Sequence, residues 1–372
     1  MVIGKLGRAG AEGQLVALAC GLAGRGDRVT VADLSLGRGR AEPLLEAGVK
    51  VLRFDTAPGP RRAGVLPSLA RVARRHDLVH CTMWDASLWG RLAGIAAGRP
   101  VVVSDHSADR GHQTSHSGAP RARWIALHNR LLERGTYATV ACAYTQLPLL
   151  ESEGVRRARI VHIPNGVSPQ ALQQASRRGP SRDELGIPTD ARVIIHVARF
   201  HPLKNQALTL ETAAHLRREL GEIHVIFVGD GAQREALQRE ADAMGAHWAH
   251  FLGRRTDVAG LLGVADLAVL PSLSEAMPMA VVEAMAVGVP IVASAVGDIP
   301  ATLDSTGAGV HVPAGDEEAF RKACLEVLSD RELHGRLRRR GLDSAQAFSV
   351  ETMIARYSEL FDAALERRPP AR

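Results

Sequence analysis

The chain alternates short apolar runs with helical patterns, and it does so in two series along its 372 residues. Strands that alternate with helices form a parallel, doubly wound sheet with helices on both faces. The stretch between the two series, residues 163–190, holds four prolines and three glycines, which is typical of a hinge or linker. Because 372 residues exceed what one ordinary core accommodates, we predict an α/β chain of two Rossmann-like domains.

The predicted elements follow this alternation. Strands are expected at Val2–Ile3, Val29–Ala32, Val49–Phe54, Leu78–His80, Pro100–Ser104, Ala138–Cys142 and Arg159–His162 in the first series, and at Val193–Ala198, Ile223–Val228, Trp248–Leu252, Ala265–Leu270, Pro290–Ala293 and Gly309–Val312 in the second. Helices are expected at Glu12–Ala23, Leu66–Arg75, Ala86–Ala96, Arg121–Gly135, Tyr144–Glu151, Asn205–Leu220, Gln233–Met244, Met279–Ala286 and Val350–Leu365. The first strand is expected to be short, and the last helix has no strand after it.

The composition is that of an ordinary globular protein, with 46% apolar and 23% charged residues. No apolar run approaches the roughly 20 residues that a transmembrane helix needs, and Met1 leads directly into a strand without a signal-peptide pattern. The four cysteines are scattered and form no CxxC pair, so we expect buried thiols rather than disulfides or metal ligands. These features predict a cytoplasmic protein.

Positive charge is concentrated in the first half of the chain. Residues 1–180 hold 25 Lys and Arg against 13 Asp and Glu, a net charge of +12, whereas residues 181–372 hold 21 against 27, a net charge of −6. A basic half favours an anionic partner such as lipid headgroups or phosphate; the alternative is a solvated, Arg-rich surface. Nucleic acid is not expected, because aromatic residues make up only 4% of the chain and no nucleic-acid motif is present.

Two carboxylates eight residues apart, Glu275 and Glu283, follow a predicted strand of the second series. Glu275 falls in the loop after the strand, Pro278 suits the start of a helix, and Glu283 lies one to two turns into that helix. Ligands of open α/β sheets bind at the carboxyl ends of the strands, and a helix N-terminus favours anions. Because carboxylates accept hydrogen bonds from hydroxyls, the segment predicts a site for a polyol attached to phosphate. Alternatively, Glu283 only complements the helix dipole.

Two cations five residues apart, Arg199 and Lys204, follow the first strand of the second series. A guanidinium binds phosphate oxygens in a fork and an ammonium adds a compact charge. The pair therefore suits the stabilisation of a departing diphosphate, with capping and solvated charge as the alternative.

Several strand ends carry further candidates. Gly10 lies in a glycine turn that opens the first helix, where backbone N–H groups approach a phosphate or sugar. The Phe227–Gly231 turn is explained by Asp230 as a helix cap, and Arg254 is placed to contact a base. His106 follows a strand of the first series and suits a substrate hydroxyl or phosphate. The chain has no HExxH, no DxD and no three-His cluster, so we expect no catalytic metal and no cofactor.

In combination, these residues resemble glycosyltransferase family 4. The resemblance is carried by Arg199 with Lys204-Asn205, Val228-Gly-Asp-Gly231, Glu275 with Glu283, Gly288-Val-Pro-Ile-Val-Ala293, Gly7-Arg-Ala-Gly-Ala-Glu12, Pro164-Asn-Gly-Val167 and Phe348-Ser-Val-Glu351. It covers nearly the whole chain. It implies a GT-B fold, in which two Rossmann-like, doubly wound parallel-sheet domains face each other across a cleft.

The resemblance also implies a function. Residues 1–168, with the helix at about 350–366 crossing back to them, would bind a glycan or lipid-linked acceptor; residues 169–190 would be the linker. Residues 191–349 would bind a UDP- or GDP-sugar and donate its hexose or N-acetylhexosamine, with retention and without a metal, in polysaccharide biosynthesis. The basic first half would allow contact with an anionic membrane, on the inner face of the cytoplasmic membrane.

Residue roles come with the resemblance. The expected catalytic residues are Arg199, Lys204, Glu275 and His106, and the expected donor-binding residues are Gly10, Arg254, Ala276, Met277, Pro278, Met279 and Glu283. Glu283 would bind the ribose and Glu275 the donor sugar, while the leaving phosphate itself would take the acceptor proton. The chain departs from the family pattern at Ala9, where a glycine is common, and after Pro300, where an acid is common.

Three other readings of the sequence predict different behaviour. Another GT-B enzyme, such as a nucleotide-sugar epimerase, would turn over its substrate without an acceptor. A non-catalytic nucleotide-sugar-binding protein would bind a donor and never release the nucleotide. An NAD-dependent oxidoreductase is the weakest of the three, because the chain lacks a GxGxxG fingerprint.

Overall fold

The computed structural model describes residues 1–7, 10–36, 41–57, 60–106 and 119–367. Ala9, where the glycine turn departs from the family pattern, lies outside these residues. The chain forms two compact units: unit 1 is Met1–Gly166 with Val350–Arg372, and unit 2 is Val167–Ser349. Each unit is built on its own parallel sheet with helices packed against it, which confirms the predicted α/β class.

Unit 1 contains a seven-stranded sheet in the order β3-β2-β1-β4-β5-β6-β7. Its strands are β1 (Val2–Ile3), β2 (Thr30–Asp33), β3 (Lys50–Arg53), β4 (Val79–Thr82), β5 (Val101–Asp105), β6 (Ala138–Ala141) and β7 (Ile160–His162). Its first helices are α1 (Gly10–Gly24), α2 (Glu42–Glu46), α3 (Leu66–Ala73), α4 (Trp84–Ala96), α5 (Ala119–Leu132) and α6 (Gln146–Ser152). The strand order reverses between β1 and β4, which pair directly.

Unit 2 contains a six-stranded sheet in the order β10-β9-β8-β11-β12-β13. Its strands are β8 (Arg192–Val197), β9 (Ile223–Val228), β10 (Ala249–Phe251), β11 (Leu267–Leu270), β12 (Ile291–Ser294) and β13 (Gly309–Val312). Its helices are α7 (Pro169–Ser176), α8 (Gln206–Leu220), α9 (Arg234–Ala243), α10 (Val258–Gly263), α11 (Met279–Val287), α12 (Ile299–Thr306), α13 (Glu317–Ser329) and α14 (Arg331–Ser344). Apolar clusters cover both faces of this sheet, as the continuous apolar strands require.

The stretch predicted as a linker is more ordered than its composition indicates. It contains α7, which packs against α10 and α11 within unit 2. Gln173 donates a hydrogen bond from Nε2 to the carbonyl of Ala286 at 3.0 Å. A Cβ atom at Gly179 would lie 2.3 Å from Cα of Gly260, so two glycines allow the backbones to touch.

The last helix, α15 (Val350–Leu365), belongs to unit 1. It packs against α1 and buries Tyr357, whose hydroxyl shares a 2.7 Å hydrogen bond with Oγ of Ser104 in β5. This packing gives the helix a role although no strand follows it. All four cysteines are free thiols, and three of them are buried. In the part of the chain that the structure describes, every helix is too short or too polar to cross a membrane.

Candidate functional site

The strand order of unit 2 reverses between β8 and β11, which pair along Leu267 and Ala268. Loops after two strands that flank such a reversal leave a ligand-binding space at the carboxyl edge of the sheet. The loop after β8 carries Arg199 and Lys204, and the loop after β11 carries Glu275. The topology therefore brings together residues that lie more than seventy positions apart in the sequence.

Lys204 and Glu275 form an ion pair at this edge. The Lys204 ammonium lies 2.5 Å from Oε1 of Glu275, and the two side chains are 21% and 8% exposed. The hydroxyl of Ser272 donates a second hydrogen bond to the same oxygen at 2.8 Å. The N–H of Leu273 donates to the carbonyl of Leu203 at 2.8 Å, so backbone and side chains both join the two loops.

Arg199 lies exposed in the turn after β8, on a backbone that the Phe227–Gly231 turn supports. A Cβ atom at Gly229 would lie 2.0 Å from the carbonyl oxygen of Ala198, and one at Gly231 would lie 2.2 Å from that of Phe200. Only glycines allow this approach. The predicted capping role of Asp230 is wrong, because its carboxylate accepts from the N–H of Gly231 at 2.9 Å and α9 begins later, at Arg234.

The segment after Glu275 leads into α11. Ala276 and Met277 are buried, and Pro278 and Met279 are half-buried. Pro278 is the residue before the helix, with φ −73° and ψ 121°, and Met279 is its first residue. Asp298 donates its N–H to the carbonyl of Ala276 at 2.8 Å, which fixes this segment against the start of α12.

Glu283 lies in the second turn of α11 and is half-buried. Burial raises the pKa of its carboxyl group. Among the described residues its side chain has no hydrogen-bond or ion-pair partner. A half-buried carboxylate without a partner is costly unless a ligand supplies one, so Glu283 is a binding-residue candidate. Arg254, after β10, is exposed, and within the described chain it forms no hydrogen bond or ion pair with another site residue.

Unit 1 holds the remaining candidates at the carboxyl edge of its own sheet. Gly10 begins α1 and is exposed, while His106 directly follows β5. β4 lies between β1 and β5 in this sheet. Both residues follow the carboxyl ends of strands of the same sheet.

His106 is held as a neutral imidazole. Burial lowers its pKa to about 4, and a side-chain hydrogen bond to Asn165 opposes this shift. Its Nδ1 is buried and has no partner among the described residues. His80, the last residue of the predicted strand Leu78–His80, lies inside β4 and is a core residue. Its Nε2 shares a 2.7 Å hydrogen bond with Ser104, and burial lowers its pKa to about 3.

Three supporting features were not predicted from the sequence: the Ser272 hydroxyl, the glycines that hold Arg199, and Gly297. A Cβ atom at Gly297 would lie 2.4 Å from the carbonyl oxygens of both Glu275 and Ala276. Ser272 precedes Glu275 by three residues, which is the spacing of a helix capping box. That signal is present in the sequence, but here the serine binds the carboxylate in a loop. Within the described ranges, no three His, Cys, Asp or Glu side chains cluster as a metal site would.

Comparison with known proteins agrees with this architecture. A family model described as Glycosyltransferase Family 4 matches residues 8–171, and one described as Glycosyl transferases group 1 matches residues 178–343. The structure is similar to that of HepE from Anabaena in complex with UDP-glucose, with a TM-score of 0.80 and 22% identity over 97% of this chain and 98% of that one.

Two sequence relatives are D-inositol 3-phosphate glycosyltransferases. The protein from Kineococcus radiotolerans is 27% identical, covering 86% of this chain and 80% of the relative. The protein from Mycolicibacterium smegmatis is 29% identical, covering 79% of this chain and 70% of the relative. With two family models that together match most of the chain and with two parallel-sheet units of the GT-B type, the chain belongs to the glycosyltransferases of family 4.

Proposed function

We propose that unit 2 binds a UDP- or GDP-activated hexose or N-acetylhexosamine, and that unit 1 binds a glycan or lipid-linked acceptor. The observation that carries the donor proposal is the Lys204–Glu275 pair at the carboxyl edge of the β8–β11 reversal. A cation for the diphosphate and a carboxylate for sugar hydroxyls lie side by side there. The complex of the similar HepE structure with UDP-glucose supports this assignment.

The proposed roles follow from charge and position. Exposed Arg199 and the Lys204 ammonium stabilise the negative charge that develops on the leaving diphosphate. Glu275 accepts hydrogen bonds from the donor sugar, which is held by the backbone of residues 276–279. Glu283, which has no partner within the described part of the chain, accepts from the ribose. Arg254 contacts the base. The positive charge for the diphosphate comes from side chains, which supports transfer without a metal.

Transfer with retention needs few proton-transfer groups from the protein. In a front-face displacement, the bond from the anomeric carbon to the diphosphate breaks while the acceptor oxygen attacks from the same side. The leaving phosphate oxygen takes the acceptor proton. Neutral His106, whose Nδ1 has no partner among the described residues, accepts a hydrogen bond from a substrate hydroxyl, and Gly10 allows close approach of the α1 N-terminus. The protein thereby contributes orientation and electrostatic stabilisation.

A thermal-shift screen against UDP-, GDP- and ADP-sugars identifies the donor, because a bound donor raises the melting temperature by mass action. We then expect Lys204→Ala to lower kcat by about tenfold or more with a smaller change in donor Kd. Lys322→Ala, at an exposed position of α13, is the matched control. Near-wild-type kcat in Lys204→Ala would contradict the leaving-group role. Nucleotide-sugar turnover without any acceptor would indicate an epimerase instead.

The acceptor side of the proposal includes contact with an anionic membrane. The C-terminal part of α5 carries Leu127 and Leu131, which are 49% and 70% exposed, together with exposed Arg130, and exposed Arg134 follows in the 3-10 turn Glu133–Gly135. Residues spaced three and four apart lie on one helix face. Apolar side chains flanked by arginines match the chemistry of an interface with anionic lipid headgroups.

Liposome co-sedimentation tests this contact. We expect wild-type protein to pellet with phosphatidylglycerol vesicles at low salt and to stay in solution with phosphatidylcholine vesicles. The double variant Arg130→Gln/Arg134→Gln is expected to bind less, while Arg338→Gln/Arg339→Gln, on exposed positions of unit 2, serves as the control. Wild-type protein that remains in the supernatant with anionic vesicles at low salt would rule the contact out.

A further inference from the structure

Ser272 is a fully buried polar residue in the loop that follows β11. Its exposed fraction is 0%, and its hydroxyl donates to Oε1 of Glu275 at 2.8 Å. Among the described residues, this is the hydrogen bond that the Ser272 hydroxyl forms. A buried hydroxyl normally finds a partner, and here the partner is a charged side chain at the site rather than a nearby backbone carbonyl.

The two carboxylate oxygens of Glu275 have different surroundings. Oε1 accepts from both Lys204 and Ser272, at 2.5 Å and 2.8 Å. Oε2 accepts no hydrogen bond within the part of the chain that the structure describes. Two donors on one oxygen fix the rotation of the carboxylate, and charge-assisted bonds of this kind are the strong ones. The second oxygen therefore keeps its lone pairs for a ligand.

We propose that Ser272 is a positioning residue for Glu275: its hydroxyl holds Oε1 so that Oε2 accepts a hydrogen bond from a hydroxyl of the donor sugar. The inference rests on the proposed function, in which Glu275 binds that sugar. Ser272 is neutral, so it fixes the carboxylate without cancelling its charge. It acts through Glu275 and does not touch the substrate.

The arrangement also explains why a second donor is needed beside Lys204. In the proposed reaction the ammonium turns part of its hydrogen bonding towards the diphosphate. An ammonium has three donors and can serve two acceptors, but its bond to Oε1 weakens as it moves. The Ser272 hydroxyl stays in place because its residue is buried, and it keeps Glu275 oriented while the donor is bound.

The test compares binding of the sugar with binding of the nucleotide. Ser272→Ala, Ser272→Thr and wild type are titrated with UDP-glucose against UDP, or with GDP-mannose against GDP, whichever pair raises the wild-type melting temperature. We expect Ser272→Ala to lose about tenfold in kcat/KM and in affinity for the nucleotide-sugar. Its Kd for the bare nucleoside diphosphate should stay within about twofold of wild type, because that ligand lacks the sugar. Ser272→Thr keeps the hydroxyl and should restore most of the activity, whereas Ser272→Cys, which nearly matches serine in size but carries only a weak S–H donor, should restore little of it.

Ser305→Ala is the control, since this serine donates to a backbone carbonyl of its own helix, from Thr302, at 3.1 Å. Equal losses for the nucleotide-sugar and the bare nucleotide would show a merely structural role and overturn the inference. Wild-type kcat/KM in Ser272→Ala would overturn it as well. If wild-type protein binds nucleotides but transfers no sugar, the proposed function fails. If wild type is active and Ser272→Ala is equally active, only the inference about Ser272 fails.

Discussion

Gly297 lies directly against the loop that holds Glu275, and its replacement by alanine gives a measurable prediction. Its φ is +57°, a conformation that side chains with a Cβ rarely adopt. An added Cβ would lie 2.4 Å from the carbonyl oxygens of Glu275 and Ala276. The two carbonyls belong to the backbone, so they cannot turn away as a flexible side chain would.

The cost has two parts that a matched variant separates. A non-glycine residue in the left-handed region costs about 1–2 kcal/mol, and an overpacked contact costs about 1–3 kcal/mol more. We therefore expect Gly297→Ala to lower the free energy of unfolding by about 2–5 kcal/mol. Gly245 has φ +63°, and a Cβ there would meet no atom within 4 Å. Gly245→Ala should accordingly lose only the first part.

Urea denaturation followed by circular dichroism measures both variants, and kinetics with the identified donor measures the site. If the Glu275 loop shifts by about 1 Å to make room, kcat/KM is expected to fall by about a hundredfold, whereas Gly245→Ala should keep wild-type kinetics. Equal destabilisation of the two variants would refute the cost assigned to the contact with the two carbonyl oxygens. A destabilised Gly297→Ala with unchanged kcat/KM would refute the link between this glycine and the position of Glu275.

Three further predictions concern the stability of the two units. Burial lowers the pKa values of His80 and His196 from 6.5 to about 3, so the contribution of each histidine to the free energy of unfolding is complete above pH 6.5 and is lost as the pH falls. The free energy of unfolding should therefore drop by about 2 kcal/mol per histidine between pH 7 and pH 5. His196→Gln should reduce that drop. Met83 has φ 72° and ψ 155°, a region essentially restricted to glycine, so Met83→Gly should raise the unfolding free energy by about 1 kcal/mol in urea titrations; a lower value would contradict the strain. Tyr357→Phe removes the bond to Ser104 and should cost about 0.5–1.5 kcal/mol; an unchanged melting temperature would show that this bond is dispensable.

The strands are predictable because they are buried on both faces and form continuous apolar runs. At β11, where the start differs from the predicted one, a specific contact explains the difference. The run from Ala265 predicts a strand start there, but β11 begins at Leu267. The carboxylate of Asp266 accepts from Nη2 of Arg182 at 2.9 Å and from the N–H of Val193 at 2.7 Å. These two hydrogen bonds engage the side chain of Asp266, and regular pairing of β11 begins at the next residue, Leu267.

Two helices near the end of unit 2 show a different case, in which the sequence contains a helix-start signal that the prediction did not use. α13 and α14 were not among the predicted helices. Asp316 accepts from the N–H of Ala319, and Asp330 accepts from those of Glu332 and Leu333. An aspartate that precedes a helical pattern is a helix-start signal. Cap residues would have located both helices where the strand–helix alternation stopped.

The candidate site is predictable as a set of residues but not as a set of contacts. Sequence reasoning places Lys204 and Glu275 at strand ends of the same domain, and the resemblance assigns them to the diphosphate and the sugar, but no sequence pattern shows that the two side chains form an ion pair. In the structure β8 lies beside β11, and the Lys204 ammonium lies 2.5 Å from Oε1 of Glu275. Without substrate, a partly buried ammonium or carboxylate left alone would carry a desolvation cost. Each group therefore satisfies the other until, in the proposed reaction, diphosphate and sugar hydroxyl supply new partners. In the proposed reaction Ser272 binds Glu275 in both situations, a role that follows from this exchange of partners, whereas the Ser-x-x-Glu spacing alone indicates a helix cap.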